Sequence, residues 1–220
     1  MQTVSIDIVS DVVCPWCYLG KARLDQAIAN VPDVLVSVQW RPYQLNPDLP
    51  PEGVDHKKHL ASKLGGQEAV DRAHDMLRDL GNADGIDFDF DAVKISPNTL
   101  DAHRLVRWAA TRGAEAQSAV VGLLFKANFE EGRNVGDHVV LLDIAEAAGL
   151  DRPVIATLLA SDADKDAVNE EVEMARDMGV TGVPCFIIEG QYAVMGAQSV
   201  EVLTNALTEI AQMKASGKPN

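Results

Sequence analysis

The sequence predicts an α/β fold whose one sheet is assembled from the two ends of the chain, with an all-helical insertion between them. Three observations predict it. Apolar and polar residues alternate across 4–9 and β-branched and aromatic residues crowd 34–45; a helical pattern recurs from the end of a Pro-rich loop to about residue 178; and alternation returns at 185–196 before a last amphipathic helix. Period two marks a strand with one buried face, and a period near 3.6 marks a helix with one buried face. Only the two ends make a sheet, so the helical block must pack on it as a lid or second lobe.

In "VSIDIV", Val4, Ile6 and Ile8 point one way and Ser5 and Asp7 the other. "CYLGKARLDQAIANV" reads as a helix with Leu24, Ala27 and Ile28 on one face, ended by Pro32 and Asp33. "VLVSVQWRPYQL" is the second strand, and "NPDLPPEG" is a loop. Ser96 reads as an N-cap with Pro97 in the first turn of a helix that stops at Gly113. Further helices cover roughly 115–131, run from a cap at Asp137 to Gly149, follow Asp151, and run from near Asp162 to Gly179. "CFIIE", "GQ" and "YAVMG" read as a hairpin with Gly190-Gln191 at its turn. Ser199 caps a final helix that turns Val202, Leu203, Ala206, Leu207 and Ile210 inward, and residues 215–220 form a frayed tail.

The 220 residues suffice for one large domain or a domain with an insertion. Apolar content of 47% with 24% charged residues is that of a globular protein. A net charge of −14 argues against nucleic acid and anionic membranes as partners. No run is long enough to span a bilayer. The first strand begins at once, leaving no room for a removable leader, so the expected location is cytoplasmic.

"DVVCPWCYLG" carries the chemistry: Cys14 and Cys17 flank Pro15 and Trp16 where the first strand turns into the first helix. Such a pair can hold a metal, trade a disulfide or sit inert. A structural zinc site needs four ligands; only Cys185 is left over, and the histidines lie elsewhere at positions 56, 59, 74, 103 and 138. No metal is expected. At a helix N-terminus, the amides of Trp16 and Cys17 would face the Cys14 sulfur, and the partial positive charge there favours thiolate. Cys17, one turn on, could then resolve a mixed disulfide formed at Cys14. In "GVTGVPCF", a cis peptide before Pro184 would leave the Val183 backbone as an edge for a substrate to pair with; the ordinary alternative is a trans-proline loop.

"SDVVCPWCYLGK", "WRPYQLNPDLPPEG", "NTLDAHRL", "GVTGVPCF" and "YAVMGAQ", in that order along the whole chain, resemble the DsbA-like branch of the thioredoxin superfamily, and within it the FrnE-like cytosolic members. 2-Hydroxychromene-2-carboxylate isomerases and kappa-class glutathione transferases are related, but typically carry serine at the position of Cys14 and lack the second cysteine. The resemblance implies a discontinuous thioredoxin-like domain of residues 1–48 and 162–214 with a helical insertion of 49–161. It implies Cys14 as nucleophile, Cys17 as resolving thiol and Pro184 as a cis-proline facing them, with Pro15, Trp16 and Val183 meeting the substrate. It also implies a dithiol–disulfide oxidoreductase with no bound cofactor and with glutathione or another thiol as co-substrate, acting on thiol or disulfide partners as a monomer or homodimer. The competing readings are a glutathione-dependent isomerase or transferase, and a redox-regulated binding or holdase protein.

Other residues carry two readings each. Cys185 is either a third redox thiol or a small residue turned into the sheet. Asp11 either holds its loop by bonding backbone amides or handles a proton, and Asp7 could accept a proton from Cys17 if buried beside it. Asn98 and His103 either line the groove between lobes or settle into the interface. His56 and His59 in "HKKH" read as a solvated face, because Lys57 and Lys58 repel a cation. Trp16 is expected to be exposed to substrates, with Trp40 and Trp108 buried.

Overall fold

The computed structural model describes residues 2–216. Strand β1 (Gln2–Ser10) buries Val4, Ile6 and Ile8 and leaves Ser5 exposed. Helix α1 (Pro15–Ala29) ends at an Asn30 cap, two residues before Pro32, and buries Leu24 and Ala27. It is the crossover that lets β2 (Val34–Pro42) return parallel to β1, in register from Gln2 opposite Val34 to Ser10 opposite Pro42.

Between β2 and the C-terminal hairpin lie β3 (Val54–Asp55), α2 (His56–Leu64), α3 (Gln67–Asp84), β4 (Ile95–Ser96), α4 (Leu100–Ala110), α5 (Ala114–Phe129), α6 (His138–Ala147), α7 (Arg152–Leu159) and α8 (Lys165–Asp177). The expected cap Asp137 accepts from the Val139 amide, and Asp151, after which a short helix was expected, accepts from the Val154 amide. Three expectations here are corrected. The block is not purely helical, because β3 and β4 form a two-residue antiparallel ribbon that closes the Pro-rich loop. Ser96 therefore belongs to a strand, with its hydroxyl 2.9 Å from His56 Nδ1, and α4 begins only at Leu100, whose amide donates to Asn98 Oδ1. Likewise α8 starts at Lys165 rather than near Asp162, because Asp164 takes a left-handed φ of 60° that no helix continues through.

The chain then re-enters the sheet as β5 (Cys185–Ile188) and β6 (Tyr192–Met195), giving the order β2–β1–β5–β6 with β5 antiparallel to both neighbours. The hairpin turn is displaced by one residue from Gly190-Gln191. Its central residues are Glu189 and Gly190, with φ of 54° and 67°, and Gln191 N–H returns to the Ile188 carbonyl. Glu189 accepts this strained backbone because its carboxylate is anchored by the Ser5 amide at 2.7 Å and by Lys214 at 2.6 Å.

Helix α9 (Val200–Ala215) is capped by Ser199, whose Oγ accepts from the Val202 amide. Leu203, Leu207 and Ile210 are buried, but Val202 is 44% exposed, since it sits a helical step away from that stripe. Ala215 and Ser216, expected in the frayed tail, are the last residue and cap of this helix; residues 217–220 lie outside the described residues.

One buried cluster runs from Val4, Ile6 and Ile8 through Leu19, Phe125 and Leu141, joining the sheet to the insertion. On the opposite sheet face a smaller cluster of Val9, Ala175, Val180 and Cys185 lies under α8.

Candidate active site

Cys14 is the N-cap of α1, at φ −97° and ψ 113°, and Pro15 occupies the first helical turn, where a missing N–H costs nothing. Its amide donates to the Asp11 carbonyl at 3.0 Å, and its own carbonyl accepts from Cys17 and Tyr18. The sequence expectation that the Cys17 amide faces the Cys14 sulfur is thus corrected: that amide closes the first turn on the carbonyl. The Cys14 thiol instead donates to the Val183 carbonyl at 3.7 Å. The Val183–Pro184 peptide is cis. All three cysteines are free thiols, Cys14 4% and Cys17 1% exposed.

Burial, and then the adjacent Cys14 sulfur, push the Cys17 thiol well above its ordinary pKa, while the Ser10 hydroxyl and the Asp11 amide act the other way. Cys17 is therefore a proton-holding thiol at neutral pH.

Gly20 was not singled out in the sequence. A Cβ there would come within 2.9 Å of Pro184 Cγ and 3.1 Å of Phe186 Cζ, so its bare backbone lets α1 press against the Val183–Pro184 loop. An isolated Gly inside a helical pattern was the available signal.

Asp11 and His103, read separately in the sequence, meet. Asp11 is fully buried; its Oδ2 accepts from the Leu45 amide at 2.8 Å, and its Oδ1 lies 3.3 Å from His103 Nε2. His103 is itself 3% exposed and lines no open groove. Asn98 clips the Pro-rich loop, donating to the Pro47 and Leu49 carbonyls and accepting from Gln44 Nε2. Asp7 is not beside Cys17: it pairs with Arg41 at 2.6 Å and helps line a cavity of about 290 Å³ under α8, with Met174, Met178 and Ile187. Cys185 pairs with Val9 across the sheet and packs in the cluster on that second face, whereas Cys14 belongs to the main core. Trp16 is half-buried against the core rather than freely exposed; Trp40 and Trp108 are buried.

A mostly apolar cavity of about 170 Å³ opens beside Pro15, lined by Val13, Leu45, His59, Lys63 and Pro97 among others. Lys57 and Lys58 of "HKKH" are exposed, but His56 and His59 turn inward. His59 Nε2 lies 3.2 Å from Asn46 Oδ1, which also takes Lys63 Nζ. Burial and the neighbouring His74 and His59 hold the His56 imidazole down at about 4. Among the described residues no group of three or more His, Cys, Asp or Glu is placed to hold a metal.

A mixed four-stranded sheet, two free thiols at the start of its first helix and a cis-proline loop against them define a thioredoxin-type fold with a helical insertion. The chain belongs to the DSBA-like thioredoxin domain family, whose model matches residues 5–208. It is 29% identical over 216 residues to the uncharacterized protein YwbO of Bacillus subtilis, covering 97% of this chain and 100% of that one. Among solved structures, a probable DsbA oxidoreductase from Streptomyces coelicolor superposes with a TM-score of 0.84 at 32% identity, covering 99% of this chain and 92% of that one. A 2-hydroxychromene-2-carboxylate isomerase shares the fold, with a TM-score of 0.71 at 19% identity over 98% of this chain and 100% of that one.

Proposed function

We propose that this DsbA-like protein is a dithiol–disulfide oxidoreductase working through a mixed disulfide at Cys14. The observation that carries the proposal is a pair of buried free thiols one helical turn apart at the start of α1, with Cys14 set against the Val183 carbonyl and Cys17 held as a thiol by burial. Cys14 thiolate attacks a substrate disulfide, forms Cys14–S–S–R and expels R′S⁻, which takes up a proton. Cys17 then gives up its proton and attacks the Cys14 sulfur. The Cys14–Cys17 disulfide forms, RSH leaves, and the substrate has gained two electrons. Two molecules of glutathione, or another thiol, would restore the dithiol with formation of their own disulfide; an oxidising partner would run the cycle backwards.

Ionisation of Cys14 removes the hydrogen that it gives to Val183, freeing that backbone edge for a substrate chain. The cavity beside Pro15 would receive the small-thiol side, with Lys63 offering a cation to a carboxylate. No bound cofactor or metal is needed by this cycle. The proposed setting is the cytoplasm; among the described residues no helix is long and apolar enough to cross a membrane. Retention of Cys17 favours this reading over a glutathione-dependent isomerase, where the thiolate of glutathione would do the chemistry.

The test is trapping. Cys17→Ser should accumulate a mixed disulfide at Cys14, seen by peptide mass, and Cys14→Ser should abolish disulfide reduction. Resolution in the native protein should accelerate as pH rises, because Cys17 holds its proton through neutral pH. A Cys14→Ser, Cys17→Ser double variant with full activity would contradict the proposal.

A further inference from the structure

We propose that the Ser10 hydroxyl is a catalytic group of the resolving step, donating a hydrogen bond to the Cys17 sulfur as that sulfur becomes a thiolate. The inference rests on the roles given above to Cys14 and Cys17. Ser10 is the last residue of β1 and only 5% exposed. Its Oγ is buried and makes no hydrogen bond in the dithiol state; it stands at the end of β1, on the strand face that packs into the same core as Cys17, and its hydroxyl acts on the Cys17 thiol. A buried hydroxyl without a partner costs stability. Strand alternation puts Ser10 on the face of Ile6 and Ile8, where an apolar side chain would be the ordinary occupant. Such a donor gains its partner when negative charge appears on Cys17, which is preorganised stabilisation of a charge that exists only during reaction.

In the step itself the Cys14–S–S–R bond breaks and the Cys14–Cys17 bond forms. The proton lost by Cys17 ends on the departing sulfur as RSH. Ser10 keeps its own proton and supplies only the hydrogen bond.

The experiment uses the full chain in a Cys185→Ala background and a chromogenic aryl disulfide. The first equivalent of coloured thiol reports attack by Cys14, and the second reports resolution by Cys17. Ser10→Ala should leave the first phase unchanged and slow the second about tenfold, with the pH profile of the second phase displaced upward. Ser10→Thr, which keeps the hydroxyl, should recover the second phase; Ser10→Gly makes the same deletion should Ser10→Ala fail to fold. A folded hydroxyl-free variant with the native second phase and pH profile overturns the Ser10 assignment alone. A native protein that releases only one equivalent overturns the oxidoreductase reading and this one with it.

Discussion

Asp11 stands three residues before Cys14, yet its carboxylate is taken by the Leu45 amide and the His103 imidazole. It ties the Cys14 loop to the segment after β2 and to α4 at one buried point. Asp11→Ala would leave an amide and an imidazole without partners in the interior, and should lower unfolding free energy by about 3 kcal/mol. Urea denaturation at neutral pH measures this, and an unchanged midpoint would mean that water fills both roles. The sequence offered Asp11 as a loop-holding residue and His103 as a groove or interface residue, but not their meeting. Contacts between residues 92 positions apart leave no trace in local pattern. Cys14 and Cys17 were readable because their chemistry depends on neighbours one helical turn away. Ser10 and Gly20 were not, because each acts through an atom that the fold brings to it.

Helix α1 is where element packing meets the site. Pro15 sets its first turn, and Gly20 lets it lie on Pro184 and Phe186. An alanine at a helical glycine ordinarily gains up to about 1 kcal/mol. Here the added methyl meets the rigid ring of Pro184, and overpacking costs about 1–3 kcal/mol. Gly20→Ala should therefore destabilise by roughly 1 kcal/mol net and slow attack by Cys14, through displacement of the Val183 carbonyl from its thiol. Thermal midpoint and the first phase of aryl disulfide reduction check both parts; a more stable, equally fast variant would show that the loop gives way freely. Helix caps at Asp137 and Ser199 were readable because capping is a local hydrogen bond. The β3–β4 ribbon was not, since Val54 and Ser96 pair across 42 positions that carry no strand-length alternation.

At the scale of the molecule, the change of period from two to 3.6 and back disclosed a sheet made from the chain ends around a helical block. What binds the block to the sheet is aromatic and was hidden. Tyr18 of α1 stacks on Phe125 of α5 at 5.1 Å, meets Phe88 edge-on at 5.8 Å, and donates to Glu130 at 2.5 Å. Burial and that carboxylate raise the Tyr18 phenol, so the link stays protonated throughout the range in which the thiols work. Trp40 adds the strand side, its indole N–H on Ser118 of α5. The two cysteines are thus carried on a helix clamped between sheet and insertion, while Cys185 is set apart behind the sheet.

That separation gives the central claim its most direct measurement: a glutathione redox titration of the intact protein, with thiols alkylated at each point and mapped by peptide mass. One reversible transition is expected, in which Cys14 and Cys17 are lost and regained together as an intramolecular disulfide, with Cys185 alkylated only after unfolding at every potential. A stable glutathione adduct at Cys14 with Cys17 still free, or three thiols indifferent to the buffer, would contradict it.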